Sequence, residues 1–451
     1  MRSETHNPSV VLKSSEESKP IFEGFLSNQL RNNIEHINKH LPRSRAGGTS
    51  ELNLNGDRLK MTGQLGGWLS IGIDANTTID IQVIPDYMLT IKPNDSKYPK
   101  LLIKSVIKAY ERIQKGNKVV LTDFLSYGDA SAFNLSDLLI GSFATLCEKV
   151  LSEGLPRDYM TVTQRSSRFV GQLVPSKLIP DMWTSPHKLV QRMNEFTSNV
   201  PKNQLIRVGY NTILTEKNNS GIDLDQFSPF FDHIDAIVPE YTFVDELAFD
   251  HDGTEYHALL QLCDLILNLR GIRSQNTTES SIQNSNLLPG FIFKAWDVYE
   301  ALCVIVMREV GKKMGWEIKD WAGEPNTLAV SREEDKDHLE YKPDIVVIEG
   351  GIPLCSMDAK CTVKDNIGDI RNYRNQVLVA ANDLGAKEAI LLLPKTEDKQ
   401  KIRTWDMESG EHWKTEHFSI MYFDVPGYLS EDTHDKVVQD LVQDFRLLLD
   451  S

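Results

Sequence analysis

The stretch YKPDIVVIEGGIPLCSMDAK holds two aspartates and a lysine in a spacing that chemistry can use. Ile345–Ile348 and Ile352–Leu354 read as strands, with Glu349-Gly350-Gly351 as the turn. In a hairpin centred on Gly351, Asp344 lies opposite Asp358, each seven residues from the centre. Opposed residues share a face, with Cβ atoms ~4.5–5.5 Å apart. Two carboxylates that close repel each other unless a proton or a cation lies between them. Hard oxygen ligands at that spacing suit Mg²⁺, which takes one or two carboxylates and keeps several waters. Lys360, two residues beyond Asp358, projects from the same face of a strand. There it can stabilise an attacking hydroxide or the charge developing on a phosphate. The D/E-x-K triplet alone is common, since Glu317/Lys319, Glu334/Lys336 and Glu397/Lys399 also match it. Only Asp358-Ala359-Lys360 follows a Pro-Asp step, a strand, a Gly-Gly turn and a second strand; the competing reading is a solvated hairpin edge.

A third carboxylate precedes the pair. In FIFKAWDVYEALCVIVMREVGKKMG, Glu300 is the only charge between Val298 and Met307. A helix this apolar is largely buried, and a buried carboxylate without a partner is costly. A metal at the neighbouring strands satisfies it; an exposed edge of the helix is the plainer alternative. After the strands, DIRNYRNQVLVAANDLGAKEAILLLP predicts a helix and then a buried strand. Gln376 lies on that helix and faces either the site or solvent, while Lys364, Arg371 and Arg374 bring local positive charge.

These groups need a scaffold, and the chain is long enough for two or three domains at 451 residues. The predicted fold class is α/β multidomain: an N-terminal α+β domain over 1–150, a mainly helical middle region with a linker over 151–286, and an α/β domain over 287–451. Leu69, Ile71 and Ile73, then Ile79, Ile81 and Val83, alternate around Asp74-Ala75-Asn76-Thr77-Thr78 and predict a hairpin. Helices are predicted at Phe22–Leu41, Lys100–Lys115 and Asn134–Glu153, and again at HALLQLCDLILNLRGI in the middle region. Residues 274–286, SQNTTESSIQNSN, have the composition of a linker. In the last helix Val438, Leu441, Val442, Phe445, Leu448 and Leu449 form one apolar stripe.

Composition narrows the function classes. Hydrophobic content of 40% and charged content of 25% fit a soluble globular protein. No run approaches the ~18 apolar residues of a membrane span, and the polar MRSETHNPSV lacks a signal-peptide core. Five cysteines without a CxxC pair argue against a disulfide framework and for a reducing, cytoplasmic setting. The formal charge of −15 argues against tight independent DNA binding, though not against a local binding cleft. Residues 1–280 show no zinc finger, no clear helix-turn-helix and no basic stripe. No GxxxxGK[ST] loop occurs, so nucleotide hydrolysis is not expected of this chain.

The sequence resembles McrC, the nuclease subunit of McrBC-type modification-dependent restriction systems. Glu300, Asp344, Asp358 and Lys360 match the PD-(D/E)xK nuclease pattern, and Gln376 falls where the family has a helix glutamine. The tyrosine that often follows it by four residues is Ala380 here. In the middle region Gly171-Gln172 resembles the family's Gly-Arg step, and Glu195, Phe196, Thr197, Pro201 and Asn203 resemble its E-F-T…P-x-N pattern. IDIQVIPDY is similar to the family's I-x-I-x-P-K, with Asp86 in place of the lysine. The resemblance implies a PD-(D/E)xK domain over 287–451, with Glu300, Asp344, Asp358, Lys360 and Gln376 catalytic and Mg²⁺ on Asp344, Asp358 and Glu300. It also implies a GTP-hydrolysing AAA+ ring of the McrB type as partner, and double-stranded DNA carrying foreign or methylcytosine marks as target. Residues 1–150 are then the element that docks on the ring. Two other readings stay open: a stand-alone PD-(D/E)xK restriction or repair nuclease, and a non-enzymatic adaptor with a degenerate nuclease fold.

Overall fold

A computed structural model describes residues 9–13, 32–41, 51–72, 78–91, 97–113, 135–176, 187–214, 222–247, 253–269, 290–320, 326–330, 338–397, 402–407 and 414–449, short gaps within these spans aside. The chain divides into two compact units. One joins residues 1–116, 133–136 and 287–451; the other holds 117–132 and 137–286.

The first unit contains two larger sheets. Strands β1 (Ser9–Lys13), β4 (Leu65–Gly72), β5 (Thr78–Ile84) and β9 (Gly290–Lys294) form one of them, in the order β1-β5-β4-β9. The alternating apolar residues pair as their period requires, with Leu69 opposite Ile81 and Ile71 opposite Ile79. Their inner face packs with Leu12, Ile34, Ile37 and the short hairpin of β2 (Glu51–Asn55) and β3 (Arg58–Thr62). Residues 74–77 of the predicted Asp74–Thr78 turn, and the 274–286 linker, lie outside the described residues.

Strand β9 changes the domain picture read from the sequence. It pairs antiparallel with β4 and runs directly into the helix that carries Glu300, so residues 1–116 pack with 287–451 and not as a separate 1–150 domain. Gly67 and Gly290 permit this pairing. A Cβ on Gly67 would come within 2.0 Å of the Phe291 carbonyl oxygen, and one on Gly290 within 2.2 Å of that of Trp68. Both glycines also adopt positive φ, where side chains are strained.

The second sheet has six strands. In chain order they are β10 (Glu317–Asp320), β13 (Ile345–Glu349), β14 (Ile352–Ala359), β15 (Glu388–Pro394), β16 (Arg403–Asp406) and β17 (His417–Phe423), arranged β10-β13-β14-β15-β17-β16. Strands β14, β15 and β17 run parallel, the others antiparallel. The central β15 is buried throughout, as an apolar strand covered on both faces must be. A further hairpin, β11 (Asn326–Val330) with β12 (His338–Tyr341), stands apart from it.

Helix α1 (Tyr98–Ile113) of this unit is amphipathic. The second unit contributes α2 (Leu135–Glu153), α3 (Pro201–Leu214) and α4 (Thr254–Leu269). The first unit then adds α5 (Ala295–Met314), α6 (Arg371–Leu384), α7 (Val425–Leu429) and α8 (His434–Leu449). Helix α6 connects β14 to β15 and packs on both; α1 and α8 pack on α5, with Trp316 edge-on to Phe445 at 5.8 Å.

The second unit adds to its helices a set of strands that apolar spacing does not predict. Strands β6 (Asp158–Ser166), β7 (Gln172–Leu173) and β8 (Leu189–Thr197) form an antiparallel sheet, β6-β8-β7, beside the helices α3 and α4. Most residues of β6 are exposed or half-buried in alternation. Such a strand presents little apolar face, so the period-2 signal that hydrophobicity gives to a buried strand is missing.

Candidate functional site

The hairpin β13–β14 places the two aspartates. Gly350 and Gly351, at φ 56° and 86°, make a two-residue turn in which Glu349 pairs with Ile352 and Ile348 with Pro353. Continued unchanged, that register would set Asp344 opposite Met357. Instead Leu354 is left out of the ladder as a bulge, Val347 pairs with Cys355, and Ile345 with Met357. The next pair is Asp344 with Asp358. The predicted opposition is present, and its origin is a tight turn plus a bulge, not a turn centred on Gly351.

Both aspartates are buried, at 7% and 3% exposure. The Ala359 amide donates to Asp344 Oδ2 at 2.8 Å. Lys360 Nζ donates to Asp358 Oδ1 at 2.7 Å and stands equally close to Oδ2. Burial, then the facing Asp358 carboxylate, pushes the Asp344 carboxyl above its ordinary range, while Lys360 and the Ala359 amide pull it down. Asp358 Oδ2 is buried against the Lys360 ammonium. A pair in this state holds a shared proton or a cation, so its donor set fits Mg²⁺. The pair lies at the carboxyl end of β14, and the Lys360 amide extends the parallel pairing to the Leu392 carbonyl at 3.0 Å.

Glu300 lies on α5, which packs on β14, the strand that carries Asp358. Arg112 on α1 forks Asp320 through Nε at 2.8 Å and Nη2 at 2.7 Å, and its Nη1 donates to Glu300 Oε1 at 3.2 Å. The partner that the buried carboxylate requires is thus an arginine from the N-terminal third of the chain. Among the described residues no three metal-ligating side chains converge; the two aspartates meet, and Glu300 is ion-paired. Burial pushes the Cys303 thiol up, and the Asp344 and Glu300 charges add to that while Arg112 opposes it.

Gln376 is exposed on α6, with no hydrogen bond to Asp344, Asp358 or Lys360 shown. One turn earlier, Tyr373 places its ring 5.6 Å from Lys360 Nζ. Tyr373 was not a sequence candidate, because no spacing rule links it to D-x-K. Arg112 had a legible signal: Lys100, Lys104, Lys108 and Arg112 recur every four residues and make one helical stripe. This basic stripe before residue 280, where none was expected, is exposed at Lys100 and half-buried at Lys104, Lys108 and Arg112. Lys104 pairs with Glu431 at 3.1 Å and Lys108 sits 5.4 Å over the Tyr428 ring. By contrast Glu317/Lys319, the competing D/E-x-K triplet on edge strand β10, forms only a half-exposed ion pair at 3.7 Å.

The middle-region patterns have structural roles. Asn203, fully buried near the start of α3, donates to the Ser198 and Pro156 carbonyls at 2.7 and 2.9 Å and accepts from Tyr256 at 2.5 Å. Pro201 opens that helix, where its missing N–H costs nothing. Gln191, buried on β8, accepts from the Val170 and Gly171 amides at 2.8 and 3.0 Å and donates to the Arg168 carbonyl at 2.5 Å. A Cβ on Gly171 would meet the Arg192 carbonyl at 2.2 Å, so only glycine fits there. The clamp presents Phe169 and Val170 at 66% and 63% exposure.

Comparison with known proteins agrees with this architecture. Residues 72–382 match the family described as McrBC 5-methylcytosine restriction system component. No protein of curated function matches. Among solved structures, a refined half-complex from the tetradecameric assembly of Thermococcus gammatolerans McrB AAA+ hexamers with bound McrC is similar in fold, at 14% identity and a TM-score of 0.60, covering 98% of this chain and all of that one. The cryo-EM structure of the Thermococcus gammatolerans McrBC complex aligns over 67% of this chain and 88% of its own, at 16% identity and a TM-score of 0.44. With a family match over more than half its length, the chain belongs to the McrBC 5-methylcytosine restriction system component family.

Proposed function

We propose that this chain is the DNA-cleaving subunit of its restriction complex, hydrolysing phosphodiesters with Mg²⁺ at a PD-(D/E)xK centre over residues 287–451. The observation that carries the reading is the buried Asp344–Asp358 pair with Lys360 against it. Asp344 and Asp358 hold the ion, and Glu300, fixed by Arg112, orders the outer side of the site. Bound there, Mg²⁺ supplies an acidified water and neutralises charge on the phosphate. Lys360, braced by the Tyr373 ring, stabilises the charge that develops in attack. Gln376, exposed one turn along α6, is assigned to the DNA side of the centre.

The partner in this reading is an AAA+ GTPase ring of the McrB type. The fold match to a McrC in complex with McrB hexamers supports it, and the target is foreign or methylcytosine-bearing double-stranded DNA. Nucleotide hydrolysis belongs to the ring. Docking was expected of residues 1–150. We infer a second docking surface on the β6–β8 arm, where Tyr159 and Phe196, ring centroids 5.1 Å apart, and the clamped Phe169 and Val170 stand exposed. No helix among the described residues is long and apolar enough to cross a membrane, and the free cysteines are buried, which fits a cytoplasmic setting.

The test is cleavage of methylated and unmethylated plasmid by the full chain with its ring partner, Mg²⁺ and GTP. Asp358→Asn and Lys360→Ala should form the complex and stimulate GTP turnover without cutting. Undiminished cutting by either variant removes the assignment, and site-specific cutting by the chain alone favours the stand-alone nuclease.

A further inference from the structure

We propose that Arg112 is a positioning residue of the nuclease centre, holding Glu300 beside the Asp344–Asp358 pair; this rests on the nuclease reading above. The geometry is that of a pinned guanidinium. Asp320 on β10 takes two of its N–H groups at 2.7 and 2.8 Å, which fixes the plane of the fork and aims Nη1 at Glu300, 3.2 Å away. The side chains of Arg112, Glu300 and Asp320 are only 12%, 13% and 11% exposed, so water replaces none of these bonds easily. Arg308 adds a longer contact to Asp320 at 3.6 Å from a half-exposed position, and does not substitute for the fork.

The chain supplies this arginine from far away in sequence, through α1, which packs along α5. The rest of the Lys100–Arg112 stripe anchors the same helix, at Glu431 and over Tyr428. The centre therefore draws on a residue before 116, the Arg112 that pairs with Glu300. An arginine there also sets how strongly the site attracts a cation. It keeps the Glu300 carboxylate ion-paired and adds a positive charge next to it.

Two consequences follow that a purely structural brace would not produce together. In Arg112→Met, Glu300 is released toward the aspartate pair, so Mn²⁺ alone binds the full chain about three- to tenfold more tightly. At saturating Mg²⁺, cleavage in the complex falls on the order of 100-fold, because the ordered carboxylate is lost. Arg112→Lys keeps the charge and should return Mn²⁺ binding to the parent value, with part of the rate. Should Arg112→Met fold poorly, pairing it with Asp320→Asn removes one cation and one anion together, still releases Glu300, and should give the same tighter Mn²⁺ binding.

Mn²⁺ binding is read by calorimetry or electron paramagnetic resonance, and folding by circular dichroism. Unchanged Mn²⁺ affinity, or full cleavage, in a folded Arg112 variant overturns the proposal. If the parent cuts and Asp358→Asn does not, that failure belongs to Arg112 alone. If Asp358→Asn still cuts, the nuclease reading falls and this one with it.

Discussion

Asp344 faces Asp358 because Leu354 is squeezed out of the ladder between Val347 and Ile348. The two-glycine turn starts the hairpin one residue out of phase, and the bulge restores the phase before the aspartates are reached. A one-residue slip sends every side chain to the other face of a strand, so the bulge decides whether the two carboxylates meet.

The bulge can be tested by deletion. Removing Leu354 leaves Val347 opposite Cys355 and Asp344 opposite Asp358, so Mn²⁺ binding should stay within about tenfold of the parent's, at some cost in stability. Removing Ser356 brings Ala359 opposite Asp344 and should abolish binding. Calorimetric titration of both proteins distinguishes them; equal loss in the two would show that register is not what matters.

Lys360 depends on its surroundings. Tyr373→Phe keeps the ring face over Nζ and should cut DNA within about twofold of the parent, whereas Tyr373→Ala should lose roughly five- to twentyfold, as a desolvated cation–π contact is worth about 1–2 kcal/mol. Single-turnover cleavage at saturating Mg²⁺ measures both. A Phe variant as poor as the Ala variant would assign the effect to the hydroxyl instead.

Glu388 predicts a pH dependence of stability. It is buried at the start of β15, opposite Cys355 on one side and His417 on the other, and its Oε2 receives no hydrogen bond from the protein groups described. Burial pushes its carboxyl up to about 7, against His417 and with Glu416 and Asp406. The folded value lies above the unfolded one, so this group's contribution is complete below the unfolded pKa and is lost as pH rises through about 7. Glu388→Gln should match the parent near pH 4.5 and exceed it by about 1–2 kcal/mol at pH 8.5 in denaturant unfolding. A constant difference across that range would rule the carboxylate out as the cause.

The β6–β8 arm predicts a separation of functions. Gln191→Leu removes three hydrogen bonds that hold the 168–171 segment, each worth about 1 kcal/mol. The segment should become protease-sensitive, and stimulation of the partner's GTP turnover should fall, while Mn²⁺ binding at the aspartate pair is unchanged. Phe169→Ser should leave the segment protected yet weaken stimulation. Stimulation at parent level in both variants would move the docking surface elsewhere.

By itself the sequence determined the parts whose signal is local. The strand–Gly-Gly–strand pattern ahead of Asp358-Ala359-Lys360 could be read from residue order, as could the apolar β15, the alternating β4–β5 pair and the amphipathic α8, because period and turn chemistry are written in consecutive residues. It also marked Glu300 as a buried carboxylate in need of a partner, without saying which. The tertiary structure alone decided that Arg112 is that partner and that Tyr373 stands over Lys360. It also set residues 1–116 against the C-terminal sheet through β4 and β9. Those are contacts between segments far apart in the chain, and they depend on helix packing and strand pairing that no single stretch encodes. The β6–β8 sheet escaped for the converse reason: its strands are mostly solvated, so their residues carry no apolar rhythm to read.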